Sequence, residues 1–171
     1  MAISLLRQVP LFEGLDDEQL EAIAPVTITR HFDKDQVIIL AEEEGDALFI
    51  ISQGQVKVSI VSEDGREVIL SLLGTGAVFG ELSLLDGKPR SANVVATQNT
   101  ELYMLRRSDF LQLVYKVPQI AVGLLAELAS RLRKTDRKIE GLALLDVTSR
   151  ISETLLQLAE EQGGATQKGV L

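Results

Sequence analysis

LFIISQGQVKVSIVSEDGREVILSLL, residues 48–73, reads as three short strands joined by two turns. From Val56 to Val61, Val56, Val58 and Ile60 alternate with Lys57 and Ser59, which face the other way. That period of two belongs to a half-buried strand. Gln53-Gly54 separates the first two runs, and Glu63-Asp64-Gly65 separates the next two, with a glycine where positive φ is needed.

The pattern continues on both sides. VIIL at 37–40, ANVVA at 92–96 and ELYML at 101–105 are further short apolar runs. Gly45-Asp46, Gly74, Gly76 and Asp86-Gly87 punctuate them. Many short strands at regular turn spacing predict an antiparallel barrel or sandwich from His31 to Leu105. Gly74-Thr75-Gly76 is not a dinucleotide loop: the next glycine that motif needs would stand where Phe79 is, and the segment lies between strands.

Helices are expected on either side of the barrel. Residues 1–30 read as helical: a short helix from Ser4 to Val9 stopped by Pro10, then one opened by Asp16 and Gln19 as a capping box and closed by Pro25. Leu20, Ile23 and Ala24 fall on one face of the second. From about Pro118 a long helix carries Leu125, Leu128, Leu132, Thr135, Ile139 and Leu142 at spacings of 3, 4, 3, 4 and 3. This is a coiled-coil seam with one polar position, and it favours a parallel homodimer through helix 118–145. Packing of the same face on the chain's own barrel is the alternative. In the dimer register Arg131 would meet Asp136 of the second copy. Arg133, Lys134, Arg137 and Lys138 read as a solvated face. Asp146 then looks like an N-cap for a helix over 147–162, and GGATQKGVL closes the chain.

Composition narrows the function. The chain has 171 residues, 46% of them hydrophobic, and a formal net charge of −8. Bulk charge therefore does not favour nucleic acid. There is no cysteine and one histidine, His31, expected at a turn or on the surface before the first strand. Thiolate metal sites, iron–sulfur clusters and disulfides are excluded, and a histidine-rich metal enzyme of the cupin type lacks its ligands. No apolar run is long enough to span a membrane, and the N-terminus has no leader pattern, so the reading is cytoplasmic.

FGELSLLDGKPRSANVVA, residues 79–96, concentrates chemistry: Glu81, Arg90 and Ser91, with small Gly80 and Ala92 beside them. An arginine fork and backbone N–H groups suit a phosphate, and a carboxylate accepts from sugar hydroxyls. A hairpin turning at LDGKP, with Arg90 and Glu81 solvated on its rim, explains the same residues without a ligand.

The order of short helices, glycine-punctuated barrel, this loop and the long seam helix resembles the cyclic-AMP receptor protein and fumarate-nitrate regulator family of transcription regulators. Residues 79–96 look like the family's phosphate-binding cassette, and LALLDVTSRI at 142–151 looks like its hinge. The resemblance implies an α+β fold: an antiparallel β-roll or jelly roll (double-stranded β-helix) over 1–115 that binds cyclic nucleotide, a dimerisation helix over 116–145, and a hinge with the start of a DNA-binding domain over 146–171. It implies cyclic AMP as ligand, with Glu81 accepting from the ribose 2′-hydroxyl and Arg90 and Ser91 on the cyclic phosphate. Backbone N–H groups of Gly80, Leu82 and Ala92 would lie nearby, and Thr135 would contact the base, partly across the dimer. Asp136 stands where cyclic-AMP receptors tend to have a serine, so it either reads the base or pairs with Arg131 of the second copy. The family's helix-turn-helix should follow the helix over 147–162, and the chain ends at Leu171. The expectation is a truncated form, with a natural sensor-only form as the alternative. DNA, and RNA polymerase in a full-length protein, would be reached only through that domain. The absent cysteines and the position of His31 weigh against the family's haem and iron–sulfur sensors. Cyclic GMP, cyclic di-GMP and a ligand-independent dimerisation scaffold remain as alternatives.

Overall fold

The computed structural model describes residues 3–144. The expected Asp146 cap, the helix over 147–162 and all but the first three residues of the hinge lie outside them. The elements run α1 (Ile3–Leu6), a 3-10 turn at Pro10–Phe12, α2 (Asp17–Ile23) and a second 3-10 turn at Ala24–Val26. Six strands follow: β1 (Thr27–Phe32), β2 (Val37–Ile39), β3 (Ala47–Gln53), β4 (Gln55–Val61), β5 (Glu67–Gly74) and β6 (Val78–Phe79). Then come α3 (Glu81–Asp86), β7 (Asn93–Ala96), β8 (Thr100–Arg106), α4 (Arg107–Lys116) and α5 (Gln119–Leu144). The chain divides into two compact units, one ending at Glu127 and the other beginning at Leu128.

In the first unit the strands form two antiparallel four-stranded sheets, ordered β1-β8-β3-β6 and β2-β7-β4-β5. This is the expected β-roll with helices at its ends. Ile39, Phe49, Ile51, Val56, Val94 and Leu102 fill the space between the sheets. Phe49 lies opposite Phe79 in register, and their rings stack with centroids 5.3 Å apart. β3 is buried on both faces, because Leu48 and Ile50, which alternate with that core, are also inaccessible. Apolar residues of the helical segments make the further layer: Leu6, Phe12, Leu20, Phe110 and Ile120 are all buried. α4 packs on β8. The start of α5 comes so close to the Pro10–Phe12 turn that a Cβ on Gly123 would lie 2.4 Å from the Leu11 carbonyl oxygen.

The Asp16–Gln19 capping box forms in full: the Gln19 N–H donates to Asp16 Oδ1 at 2.9 Å, and the Asp16 N–H donates to Gln19 Oε1 at 3.0 Å. The first helix is shorter than expected, ending at Leu6.

Residues 27–30 are not helical. Pro25 turns the chain, and β-branched Thr27, Ile28 and Thr29 begin an edge strand on β8. His31 lies within that strand, not before it; it is exposed, with Nδ1 3.7 Å from Glu101 Oε2. A second difference is α4, which fills residues 107–116 after the last strand.

Lys57 and Ser59 share a face of β4, as the alternation required. Register places Val61 opposite Glu67 and Ser59 opposite Ile69, so the Lys57–Glu67 ion pair at 2.7 Å spans that face. Ser59 is buried there. The register skips Leu70: Val58 faces Ser71 and Ser59 faces Ile69, a bulge on β5.

Along α5, Leu125, Leu132 and Ile139 are exposed and Leu128 is half-buried, whereas Ile120 and Leu124 are buried. The seam therefore differs from the face that covers the first unit at the helix's start. Among the described residues, no single helix is long and apolar enough to cross a membrane.

Candidate functional site

α3 is a helix where LDGKP could have turned a hairpin. Gly80 enters it with φ 78° and Gly87 leaves it with φ 70°. Both are left-handed conformations that a glycine adopts without strain. The Gly87 N–H donates to the Ser83 carbonyl, closing the last turn at 3.0 Å. Its six residues split by depth: Glu81, Ser83 and Leu84 are buried, while Leu82 and Leu85 are exposed.

The return chain brings Arg90 back to the start of this helix. Its backbone is fixed first. The Arg90 N–H donates to the Glu43 carbonyl and the Glu42 N–H donates to the Arg90 carbonyl, both at 2.8 Å. The guanidinium is then held by two backbone oxygens: Nη1 donates to Gly80 at 2.7 Å and Nη2 to Ala47 at 2.8 Å. Arg90 is only 7% exposed and Glu81 only 4%. Burial pushes the arginine below its ordinary range, and the carboxylates of Asp46 and Glu81 oppose that shift. The two bonds take one N–H from each terminal nitrogen of a group that carries five. A buried guanidinium and a buried carboxyl group thus stand together at the N-terminal end of α3, on a backbone with two left-handed glycines. This arrangement can take an anionic group at Arg90 and hydroxyl donors at Glu81.

Of the residues singled out from sequence, Gly80, Glu81 and Arg90 come together. Ala92 is buried just beyond them, at the entry to β7, while Ser91 and Leu82 are exposed. Thr135 and Asp136 lie on α5 in the second unit, both exposed, and Thr135 Oγ1 donates to the Arg131 carbonyl at 3.0 Å. Sequence reasoning missed Gly45, Asp46 and Ala47, which surround Arg90 from 43 or more residues away, and Arg107. The only signal for the first three was a turn at Gly45-Asp46. Arg107 Nε donates to the Leu84 carbonyl at 2.8 Å, and its N–H donates to the Asp46 carbonyl at 2.6 Å. One residue at the start of α4 therefore ties the last turn of α3 to the loop beneath Arg90. Arg107→Ala is expected to cost about 1–3 kcal/mol of stability, because the buried Leu84 carbonyl loses a charged donor. Urea unfolding checks this. Among the described residues, no group of three or more histidine and carboxylate side chains could hold a metal ion.

Comparison with known proteins agrees with this geometry. The family model described as cyclic nucleotide-binding domain matches residues 29–116. The cyclic AMP receptor protein of Thermus thermophilus is 36% identical over 152 residues, covering 89% of this chain and 70% of that protein. The crystal structure of the Thermus thermophilus catabolite activator protein superposes with a TM-score of 0.74 at 36% identity, covering 90% of this chain and 72% of that one. The c-di-GMP responsive global regulator CLP of Xanthomonas campestris superposes with a TM-score of 0.76 at 26% identity, covering 86% of this chain and 74% of that one.

Proposed function

The chain belongs to the cyclic nucleotide-binding domain family, among relatives of the cyclic AMP receptor type, and from that premise we propose that it is the cyclic-AMP-sensing and dimerising part of a transcription regulator. The observation that carries this reading is the buried Arg90 guanidinium, clamped by the Gly80 and Ala47 carbonyls beside the buried Glu81. A buried arginine with donors to spare is costly unless an anion uses them. The cyclic phosphate is that anion, and Glu81 accepts from the ribose 2′-hydroxyl. Ser91 and the N–H groups of Gly80, Leu82 and Ala92 complete the ligand's surroundings.

Two copies associate through the α5 seam, whose Leu125, Leu132 and Ile139 are exposed in the single chain. Thr135 interrupts that seam, so the apo coiled coil is weakest where base contact from the ligand adds to it. Ligand binding thereby shifts the population of helix arrangements and is read by a DNA-binding domain downstream. The chain acts as a sensor in this reading, without catalysis, in the cytoplasm.

A second reading replaces the ligand with cyclic GMP or cyclic di-GMP. It is favoured by Asp136, an acceptor where a serine is expected, and by the likeness to a regulator described as c-di-GMP responsive. Calorimetric titration with cyclic AMP, cyclic GMP and cyclic di-GMP tests both. Micromolar or tighter binding of cyclic AMP alone is the expected result. Preference for another nucleotide selects the second reading. No binding of any of the three leaves a dimerisation scaffold.

A further inference from the structure

Gly45 and Gly80 both border the Arg90 guanidinium, for different reasons. The Gly45 backbone is not in the left-handed region, so a positive φ is not what calls for glycine there. The space around it is another matter. A Cβ built there would lie 1.9 Å from Arg90 Nε, 2.2 Å from Cζ and 2.6 Å from Nη2. All three nearest atoms belong to one guanidinium, which therefore lies against the bare Cα of Gly45. Gly80 faces the same group: a Cβ there would be 2.8 Å from Nη1 and 3.2 Å from the Ala47 carbonyl oxygen. Gly80 also needs its positive φ, so its glycine has two explanations. Gly45 has only one.

We propose that Gly45 is a positioning residue for the ligand's phosphate: its missing side chain is the seat that lets the Arg90 fork reach both the Gly80 and Ala47 carbonyls and stay aimed. The inference rests on the reading that Arg90 holds a cyclic phosphate. The displacement is forced through Nε and Cζ, near the middle of the side chain. A rotation of the fork's tip alone does not relieve it. A methyl group at position 45 moves the guanidinium off its carbonyls, and the fork loses the direction that two fixed acceptors give it.

The test is Gly45→Ala, alone and combined with Arg90→Ala, in the full chain. Two quantities are measured: affinity for cyclic AMP by calorimetry, on protein shown folded by circular dichroism, and melting temperature without ligand. The expected result is an affinity loss of about tenfold or more for Gly45→Ala, the scale of one charge-assisted hydrogen bond. Gly45→Ala should also lower the melting temperature when Arg90 is present and leave it unchanged in the Arg90→Ala background, where no guanidinium needs the seat. Wild-type binding that Gly45→Ala alters less than twofold overturns the proposal and leaves the functional reading standing. If the wild-type chain binds no cyclic nucleotide, the functional reading fails instead. The melting-temperature cycle then judges the seat by itself, and an equal loss in both backgrounds overturns it.

Discussion

Arg90→Leu is expected to lower the affinity for cyclic nucleotide by at least about 100-fold, since each hydrogen bond to a charged group is worth roughly 1.5–3 kcal/mol and the proposed reading gives the phosphate more than one from Arg90. Calorimetric titration beside the wild-type chain measures it. Binding that survives within a few-fold would mean that the phosphate is held elsewhere. Leucine keeps much of the side chain's bulk, so the loss reports on the guanidinium, not on a cavity. Arg90→Lys sharpens the result. An ammonium keeps the charge but cannot span the Gly80 and Ala47 carbonyls as a planar fork does. Its affinity should fall well below wild type and remain above that of Arg90→Leu.

Phe110→Ala is expected to produce the largest loss of stability, about 3–5 kcal/mol. The ring is 2% exposed and lies on α4, which packs on β8. β8 lies between β1 and β3, so a hole under α4 loosens the sheet that also carries β6 and the entry to α3. Urea unfolding should show a lower midpoint with an unchanged slope. A loss below about 1 kcal/mol would mean that α4 collapses onto the gap and that its packing is more plastic than the burial implies.

The strands were legible because their information is local. Val56–Val61 alternates, and turn residues bracket nearly every run, so six of the strands lie where the apolar runs stood. β1 was not legible. Thr27–Phe32 carries few core residues and pairs only with β8, so its strand character comes from partners 68 to 78 residues further on. α3 was missed for another reason. ELSLLD is too short to show a helical period, and the glycine after it is as much a helix stop as a turn. At the site, Glu81 and Arg90 were readable from residue type within one stretch. What holds Arg90 was not: Ala47 offers a carbonyl and Gly45 an empty Cα, and neither leaves a mark in a side-chain pattern. Thr135 and Asp136, where base contacts are expected, stand on the second unit.

The bulge on β5 has a consequence for solubility. β5 is an edge strand of eight residues, with Val68, Ile69 and Leu72 each more than half exposed. A straight apolar edge of that length is a template on which further chains can add without end, the geometry of fibrils. The skipped register at Leu70 bends the strand partway along, and the Lys57–Glu67 pair places charge near its start. The bulge interrupts the even run of backbone donors and acceptors that an added strand would pair with. The chain can thus display an apolar hairpin to water while denying strand-by-strand aggregation a continuous rail.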